Sequence, residues 1–246
     1  MATSGSESAG ERLNRFLSRC GVGSRRRSDE IIAAGRVSIN GVVVEKLGTI
    51  VDPAKDRVEV DGLAVSPTSP DTVWILFYKP AGTLTTRRDM RGRATIFDKL
   101  PPMFQNLIPV GRLDQDTEGV LLLTSDGDGA NRLMHPRYEI ERVYEATVVG
   151  VPAPSSLAKL RDGIDLGDPT PARAEAEVAR FHPRGAVVRL LLREGRKREV
   201  KRMMMALGHP VLQLQRISFA GLTTQGMNVG DWRRLTEREI ARILKP

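Results

Sequence analysis

Apolar residues near the N-terminus follow a helical spacing. They recur three or four positions apart, at Leu13, Phe16, Leu17 and Cys20. This spacing predicts one apolar face of a helix, which the segment Gly21-Val22-Gly23 ends. Ser24 is placed to cap a second helix, whose apolar face includes Ile31 and Ile32 and which ends at Gly35.

A small sheet is predicted after the two helices. β-Branched residues lie on both sides of Asn40-Gly41. Asn-Gly between two such runs is the strongest short-range signal for a β-hairpin. Val58 and Val60, followed by Asp61-Gly62, indicate one more short strand and a turn.

Two segments divide the chain. Residues 1–10 are small and polar, which is typical of a disordered tail. Residues 66–71 combine two prolines with Ser, Thr and Asp, which favour neither a helix nor a central strand. We therefore interpret 66–71 as a linker between a module at 11–65 and a larger domain at 72–246.

The larger domain mixes short apolar runs with helical patterns. Strands are predicted at 74–78, 120–124, 143–149 and 187–192. Helices are predicted from Asp128, as the cap, to Met134, and from Glu199 to Leu207. Because strands and helices follow no regular βαβ alternation, we expect an α+β fold with a mixed, largely antiparallel sheet.

Charge and cysteine content narrow the class of protein. The 246 residues include 38 Lys and Arg against 30 Asp and Glu, a net charge of +8 that favours a polyanionic partner such as nucleic acid. Cys20 is the single cysteine, so no internal disulfide forms, and the three histidines lack zinc-motif spacing. No signal peptide is recognisable and no apolar run nears the ~18 residues that cross a bilayer. We expect a cytoplasmic protein with no metal and no membrane contact.

The predicted helix pair is rich in arginine. Between residues 11 and 36, seven arginines stand against three acidic residues. Such a cluster favours phosphate contacts, although a charged run is also compatible with a solvated helix face. The seven are Arg12, Arg15, Arg19, Arg25, Arg26, Arg27 and Arg36.

A polar loop at 109–119 leads directly into the apolar run 120–124. Site residues often lie on loops that a buried strand anchors, and this loop carries the carboxylates of Asp114, Asp116 and Glu118. From the segment alone, an ordinary surface loop remains an alternative. The sequence lacks the motifs of a phosphate-binding loop, a serine hydrolase elbow and a zinc peptidase.

Longer stretches resemble known families. The run "ERLNRFLSRCGVGSRRRSDEIIAAGRVSINGVVV" at 11–44 resembles the S4 domain, also called the alpha-L RNA-binding motif. Three ordered stretches, "FYKPAG" with "TTRRDMRGRATIFDKLP", "GRLDQDTEGVLLLTSDG" and "REGRKREVKRMMMALGHPVLQLQRISFAGL", resemble the RsuA/RluB-type pseudouridine synthases of ribosomal RNA. The pattern Glu-Gly-Arg-x-Arg-Glu-Val resembles the large-subunit branch more than the small-subunit branch. The resemblance implies isomerisation of uridine to pseudouridine, which needs no cofactor.

The resemblance also implies catalytic roles. Asp114 falls at the position of the family's catalytic carboxylate, ahead of Asp116 and Glu118. Lys201 falls at the basic position that would orient this carboxylate, and its neighbour Arg202 is the alternative.

Further roles concern the substrate RNA. Tyr144, in "ERVYEATV", would stack on the target base, and Arg112 would help displace that base from its stack. The basic segment 189–202, with Arg196, Arg198 and Arg202, would form a phosphate-binding rim, unless it is an exposed helix face. The implied partner is ribosomal RNA, expected to be 23S, or a pre-ribosomal particle, bound by a monomer. A small-subunit 16S enzyme and a non-catalytic ribosome-assembly factor remain alternatives.

Overall fold

A computed structural model describes residues 10–66 and 72–245, and contacts within the chain divide it into two compact units between Thr72 and Val73. The predicted tail at 1–10 lies outside the described residues except for Gly10. The predicted linker at 66–71 lies outside them except for Ser66.

Two helices and short strands make up the first unit. The helices are α1 (Leu13–Arg19) and α2 (Arg25–Ala33). The strands are β1 (Glu11–Arg12), β2 (Val37–Ile39), β3 (Val42–Val43), β4 (Ile50–Val51), β5 (Val58–Val60) and β6 (Leu63–Ala64). Four of them form an antiparallel sheet in the order β3-β2-β5-β6, and β1 pairs with β4.

Local signals in the sequence determine this first unit. The Ser24 hydroxyl accepts a hydrogen bond from the Arg27 amide at 3.2 Å, which caps α2 as predicted. Asn40 and Gly41 both have positive φ, 51° and 82°, as a two-residue hairpin turn requires. The apolar faces of both helices pack with the sheet into one core, made of Leu13, Phe16, Leu17, Ile31, Ile32, Val37, Val51 and Val58.

The described residues of the second unit form nine strands. They are β7 (Trp74–Lys79), β8 (Ile108–Pro109), β9 (Thr117–Thr124), β10 (Arg142–Val149), β11 (Glu175–His182), β12 (Gly185–Leu192), β13 (Val211–Phe219), β14 (Leu222–Thr223) and β15 (Trp232–Arg234). The α-helices are α3 (Gly127–Met134), α4 (Pro154–Asp162), α5 (Glu199–Ala206) and α6 (Glu237–Ile243). Short 3₁₀ turns lie at Ile96–Lys99, Pro102–Phe104 and Pro136–Tyr138.

These strands form one mixed sheet. Its order is β11-β12-β10-β13-β9-β7-β15, with β14 on β13 and β8 on β9. Every pairing is antiparallel except that of β13 with β9. The α+β class and the mixed, largely antiparallel sheet are as predicted.

The apolar run of β9 is buried on both faces of the sheet. Val120 and Leu122 pack into one core cluster with α3, whereas Leu121 and Leu123 pack into another beneath the 3₁₀ turn at Ile96–Lys99. Successive side chains of a strand point to opposite faces, so a strand covered on both faces is apolar throughout. This burial fixes the strand that follows the polar loop 109–116.

The cap of α3 differs from the prediction. Asp126, not Asp128, is the N-cap residue, and its Oδ1 accepts hydrogen bonds from the amides of Asp128 at 3.1 Å and Gly129 at 2.9 Å. Asp126 has the extended backbone of a capping position, whereas Asp128 already lies within the first turn.

Candidate active site

A cavity of about 740 Å³ opens at the start of β9 in the second unit. Its wall combines the loop before β9 with β10, β13 and the segment before α5. Five of the predicted site residues line it: Asp114, Tyr144, Arg112, Arg196 and Arg198. The fold thus gathers positions that lie far apart in the sequence.

A buried lysine holds the loop that carries Asp114. The Lys79 ammonium donates hydrogen bonds to the carbonyl oxygens of Asp114 at 3.2 Å, Gln115 at 3.4 Å and Thr117 at 2.8 Å. It also donates to the Pro80 carbonyl at 3.0 Å. Burial lowers the pKa of Lys79 to about 8, although the nearby carboxylates of Asp116 and Asp114 oppose this shift.

Lys79 was not identified from the sequence as a site residue. The available signal was a cation at the end of an apolar strand, directly before a proline. Leu113 is held as well, because the Thr85 hydroxyl donates to its carbonyl at 2.9 Å and accepts from its amide at 3.2 Å. Backbone and side-chain contacts therefore fix the loop on both sides of Asp114.

Lys201 lies between two carboxylates. Its Nζ is 3.7 Å from Asp114 Oδ2 and 2.5 Å from Asp116 Oδ1. Burial alone would raise the pKa of Asp116, but the hydrogen bond and the charge of Lys201 outweigh it, so this pKa lies below the ordinary range. The Asp114 side chain is 31% exposed and is the more loosely paired of the two. The Lys201 ammonium thus contacts two carboxylates, of which Asp116 is the closer.

Arg202 is not placed as the alternative partner of Asp114. Its guanidinium forms an ion pair with Asp168 at 3.1 Å and a hydrogen bond to the Leu166 carbonyl. In the described part of the chain, Lys201 is the basic side chain within 4 Å of the Asp114 carboxylate. The helical direction of α5 turns the neighbouring side chain away.

The basic segment before α5 divides into paired and unpaired side chains. Arg196 is bound by Glu194 at 2.9 Å and by Asp168 and the Thr170 backbone. The Arg196 side chain therefore stabilises the segment before α5. It is not available to RNA, as the side chain of a phosphate-binding rim would be. Arg198 and Arg112 are exposed, and no hydrogen-bond or ion-pair partner is found for either among residues 10–66 and 72–245.

Buried charges lie deeper in the cavity wall. Arg142 and Arg216 are 7% and 2% exposed, and both guanidiniums pack on the ring of Phe219, at 5.3 and 4.7 Å from its centroid. Glu199 is 4% exposed, and burial raises its pKa to about 7. No feature of the sequence predicted a role for these residues, because residue type alone does not show that a charged side chain is buried.

Tyr144 lies half-buried on β10. It is directly opposite Arg216 on β13 and opposite Leu190 on β12. Residues directly opposite on antiparallel strands share one face of the sheet. Tyr144 and Arg216 therefore line the same side of the cavity.

The arginines predicted to bind RNA in the first unit differ in their partners. Arg19 pairs with Glu11 at 2.6 Å, Arg27 with Glu30 at 2.7 Å and Arg36 with Asp61 at 2.5 Å. Arg15 lies 3.4 Å from Glu11. The side chains of Arg12, Arg25 and Arg26 are exposed and make no hydrogen bond or ion pair with the described residues.

The described residues provide neither a membrane-spanning helix nor a cluster of metal ligands. Among the described residues, no helix is both long and apolar enough to cross a membrane. Nor do three or more His, Cys, Asp or Glu side chains in the described ranges group as metal ligands would.

Comparison with known proteins decides the family. The model of the family "RNA pseudouridylate synthase" matches residues 73–206, and that of the S4 domain matches residues 11–58. The chain is 42% identical to "Ribosomal large subunit pseudouridine synthase B" of Bacillus subtilis (strain 168), over 95% of both chains. The chain belongs to the RNA pseudouridylate synthase family.

Other relatives agree with this assignment. The chain is 40% identical to a protein of the same name from Haemophilus influenzae, over 92% of this chain and 65% of that one. A solved structure, "Crystal structure of pseudouridylate synthase", superposes with a TM-score of 0.69 at 27% identity, over 95% of this chain and 99% of the other. The protein is a pseudouridine synthase, an isomerase with an N-terminal S4 domain, so the alternative of a non-catalytic assembly factor is rejected.

Proposed function

We propose that this pseudouridine synthase isomerises a uridine of 23S ribosomal RNA, with Asp114 as the catalytic carboxylate. The observation that carries the assignment of Asp114 is its position in the cavity that also holds Tyr144, 3.7 Å from the Lys201 ammonium. The large-subunit target is supported by the names of the relatives from Bacillus subtilis and Haemophilus influenzae. Action on free RNA or a pre-ribosomal particle, by a cytoplasmic monomer, belongs to the same proposal.

The reaction conserves every atom of the nucleotide. The bond from N1 of uracil to C1′ of the sugar breaks, the base turns, and a bond from C5 to C1′ replaces it. C5 loses a proton and N1 carries one in the product. No electron is gained or lost, so one ionised carboxylate that attacks the ring or the sugar, or stabilises a cationic sugar, is sufficient.

Asp114 is suited to this task. It is 31% exposed and shares Lys201 with Asp116, which lies closer to the ammonium. The carboxylate is therefore accessible to the substrate, while Lys201 limits its orientation. The bonds from Lys79 and Thr85 to the loop backbone reduce the freedom that Asp114 would otherwise lose on reaction.

The target base must leave its stack before Asp114 can reach it. Arg112 lies exposed at the cavity, two residues before Asp114, where it would take the place of the displaced base. Tyr144 offers its ring for stacking and its hydroxyl for the C5 proton. Exposed Arg198, with Arg12, Arg25 and Arg26 of the first unit, would contact RNA phosphates.

Mapping of pseudouridine tests this proposal. Transcripts of 23S and 16S ribosomal RNA are incubated with the wild-type protein, with Asp114→Asn and with Asp116→Asn, and pseudouridine is mapped at nucleotide resolution. We expect one position in 23S RNA to be modified by the wild type. Asp114→Asn should lose this activity and keep its RNA affinity, because it removes the charge and preserves the shape.

Asp116→Asn is the matched control. It removes the other carboxylate on Lys201 and should cost at most about tenfold in rate. If Asp114→Asn retains more than a small fraction of the wild-type rate, Asp114 is not the catalytic carboxylate. Modification of 16S RNA alone would contradict the large-subunit target.

A further inference from the structure

Two of the residues that line the cavity carry buried polar atoms without partners. Nη2 of Arg216 and Oγ1 of Thr117 are inaccessible to solvent and form no hydrogen bond with the described residues. The two residues are 2% and 1% exposed, and both line the cavity. Leaving a buried donor unsatisfied costs stability, so such atoms call for a partner that the chain itself does not supply.

Two contacts hold the Arg216 side chain in place. Its Nε donates to the Val120 carbonyl at 2.8 Å, and the guanidinium packs on Phe219. No carboxylate of the described residues lies within 4 Å of it, in contrast to Arg196 and Arg202. Arg216 therefore presents a fixed donor whose position does not depend on an ion pair.

The register of the sheet places this donor beside the catalytic groups. Arg216 is opposite Tyr144 on β10 and level with Gly119 on β9. Thr117 is level with Leu214, two residues before Arg216, so Thr117 and Arg216 are diagonal neighbours. Thr117 also begins the strand that follows Asp114, and its amide donates to the Asp114 carbonyl at 3.1 Å.

We propose that Arg216 and Thr117 recognise the carbonyl edge of the target uracil and thereby select uridine over cytidine. Arginine can only donate hydrogen bonds. Uracil presents two carbonyl acceptors on either side of N3–H, whereas cytosine replaces the carbonyl at C4 with an amine that also donates. A donor that meets this amine is left unpaired, which is how a hydrogen-bonding site rejects an analogue.

The depth of Arg216 favours the base over a backbone phosphate. A displaced nucleotide inserts its base into the pocket and leaves its phosphates at the mouth. Arg198 and Arg112 are exposed, whereas Arg216 lies 2% exposed among apolar residues such as Phe219 and Leu214.

The Arg216 donor can bind the base in both the substrate and the product. The edge formed by O2, N3–H and O4 is unchanged when uracil makes half a turn about the axis through N3 and C6. A donor that binds one carbonyl in the substrate would therefore meet the other carbonyl in the product. Recognition by Arg216 is compatible with the turn of the base that isomerisation requires.

The experiment measures the selectivity of the enzyme for uridine over cytidine. The inference that it tests rests on the proposed function. The probe is a 23S RNA fragment that the wild-type protein modifies, together with the same fragment carrying cytidine at the modified position. Affinity for the uridine RNA is taken from the concentration dependence of the single-turnover rate. Affinity for the cytidine RNA is taken from its inhibition of that rate.

Arg216→Lys keeps the charge and removes the Nη2 donor. We expect the wild type to bind the uridine RNA on the order of tenfold more tightly than the cytidine RNA, and the ratio in Arg216→Lys to fall towards one. Thr117→Val, which removes only a hydroxyl without a partner, should fold with undiminished thermal stability and bind the uridine RNA several-fold more weakly. Ser28→Ala removes a buried, unpartnered hydroxyl in the first unit and is the matched control.

Several outcomes would overturn the inference. An unchanged ratio in Arg216→Lys, with both affinities reduced equally, would assign Arg216 to a phosphate. Undiminished affinity of Thr117→Val for the uridine RNA would remove the hydroxyl from recognition, even if Arg216→Lys does not fold. Absence of pseudouridine with the wild type would overturn the proposed function and this inference together, whereas an unchanged ratio in an active enzyme overturns the inference alone.

Discussion

Replacing Gly119 with alanine tests whether the close parallel pairing of β9 with β13 builds the active site. A Cβ at this position would lie 2.2 Å from the Arg216 carbonyl oxygen and 2.7 Å from its amide nitrogen. Both are backbone atoms, so no side-chain rotation relieves the overlap. Gly119 also has a φ of 117°, outside the range that L-residues readily adopt.

The loss of stability expected for Gly119→Ala follows from the steric overlap and from the backbone conformation. A non-glycine residue in such a backbone conformation costs about 1–3 kcal/mol, and overpacking typically costs a similar amount, so we expect the free energy of unfolding to fall by about 2–6 kcal/mol. The strands must also separate, which disturbs the bond from Arg216 Nε to the Val120 carbonyl. Since β13 carries Arg216 opposite Tyr144, the folded fraction should also lose turnover.

Gly111→Ala is the matched control for stability. Gly111 precedes Asp114 on the same loop and has a φ of 80°, but nothing lies within 4 Å of the Cβ that alanine would add. It should lose about 1–2 kcal/mol, from backbone conformation alone. Denaturant unfolding and single-turnover isomerisation are measured for both variants. The reasoning is refuted if Gly119→Ala is as stable as Gly111→Ala and keeps the wild-type rate.

The site sets three further expectations. Tyr144→Phe should bind RNA normally and lose turnover in a single-turnover assay; a wild-type rate would leave Tyr144 as a stacking residue only. Because burial raises the folded-state pKa of Glu199 to about 7, its contribution to stability should be lost as pH rises from about 4.5 to 7. Glu199→Gln should lack this loss in urea unfolding between those pH values. A chain starting at Asp71 should need about tenfold to a thousandfold more RNA for half-maximal rate, at a similar maximal rate; unchanged affinity would remove the first unit from binding.

The elements that the sequence predicted correctly are those whose structure is determined by residues adjacent in the sequence. Asn40-Gly41 closes its hairpin because both residues take positive φ, a preference of the dipeptide itself. The run Val120–Thr124 is a strand because it is apolar on both faces. The strand β11 (Glu175–His182) was not predicted, because it lies at the edge of the sheet and is largely exposed. Polar and apolar residues alternate only over Glu175–Val178, because a register shift between Val178 and Arg180 interrupts the pattern after four residues.

The residues of the candidate site also fall into two groups. Some were identified from a local motif, and others depend on the pairing of distant strands. The loop that carries Asp114 was identified from motif resemblance, and Lys201 does lie beside it in the structure. Lys79 and Arg216 were missed, because their significance depends on long-range pairing. Lys79 meets the loop through the pairing of β7 with β9, and Arg216 meets Tyr144 through the pairing of β13 with β10. No spacing within one segment encodes either contact.

The arginines that stabilise the fold differ from those available to RNA in having carboxylate partners. The number of arginines in a segment does not distinguish the two groups. Arg196 and Arg202 both bind Asp168, so they fix α5 and the segment before it to the loop that contains Asp168. Arg198, in the same segment, is exposed and lacks a partner among the described residues. An arginine already paired with a carboxylate must break that pair to bind a phosphate, which reduces the net gain from the contact. A basic sequence segment therefore overstates the RNA-binding surface, and the unpaired arginines define it more closely.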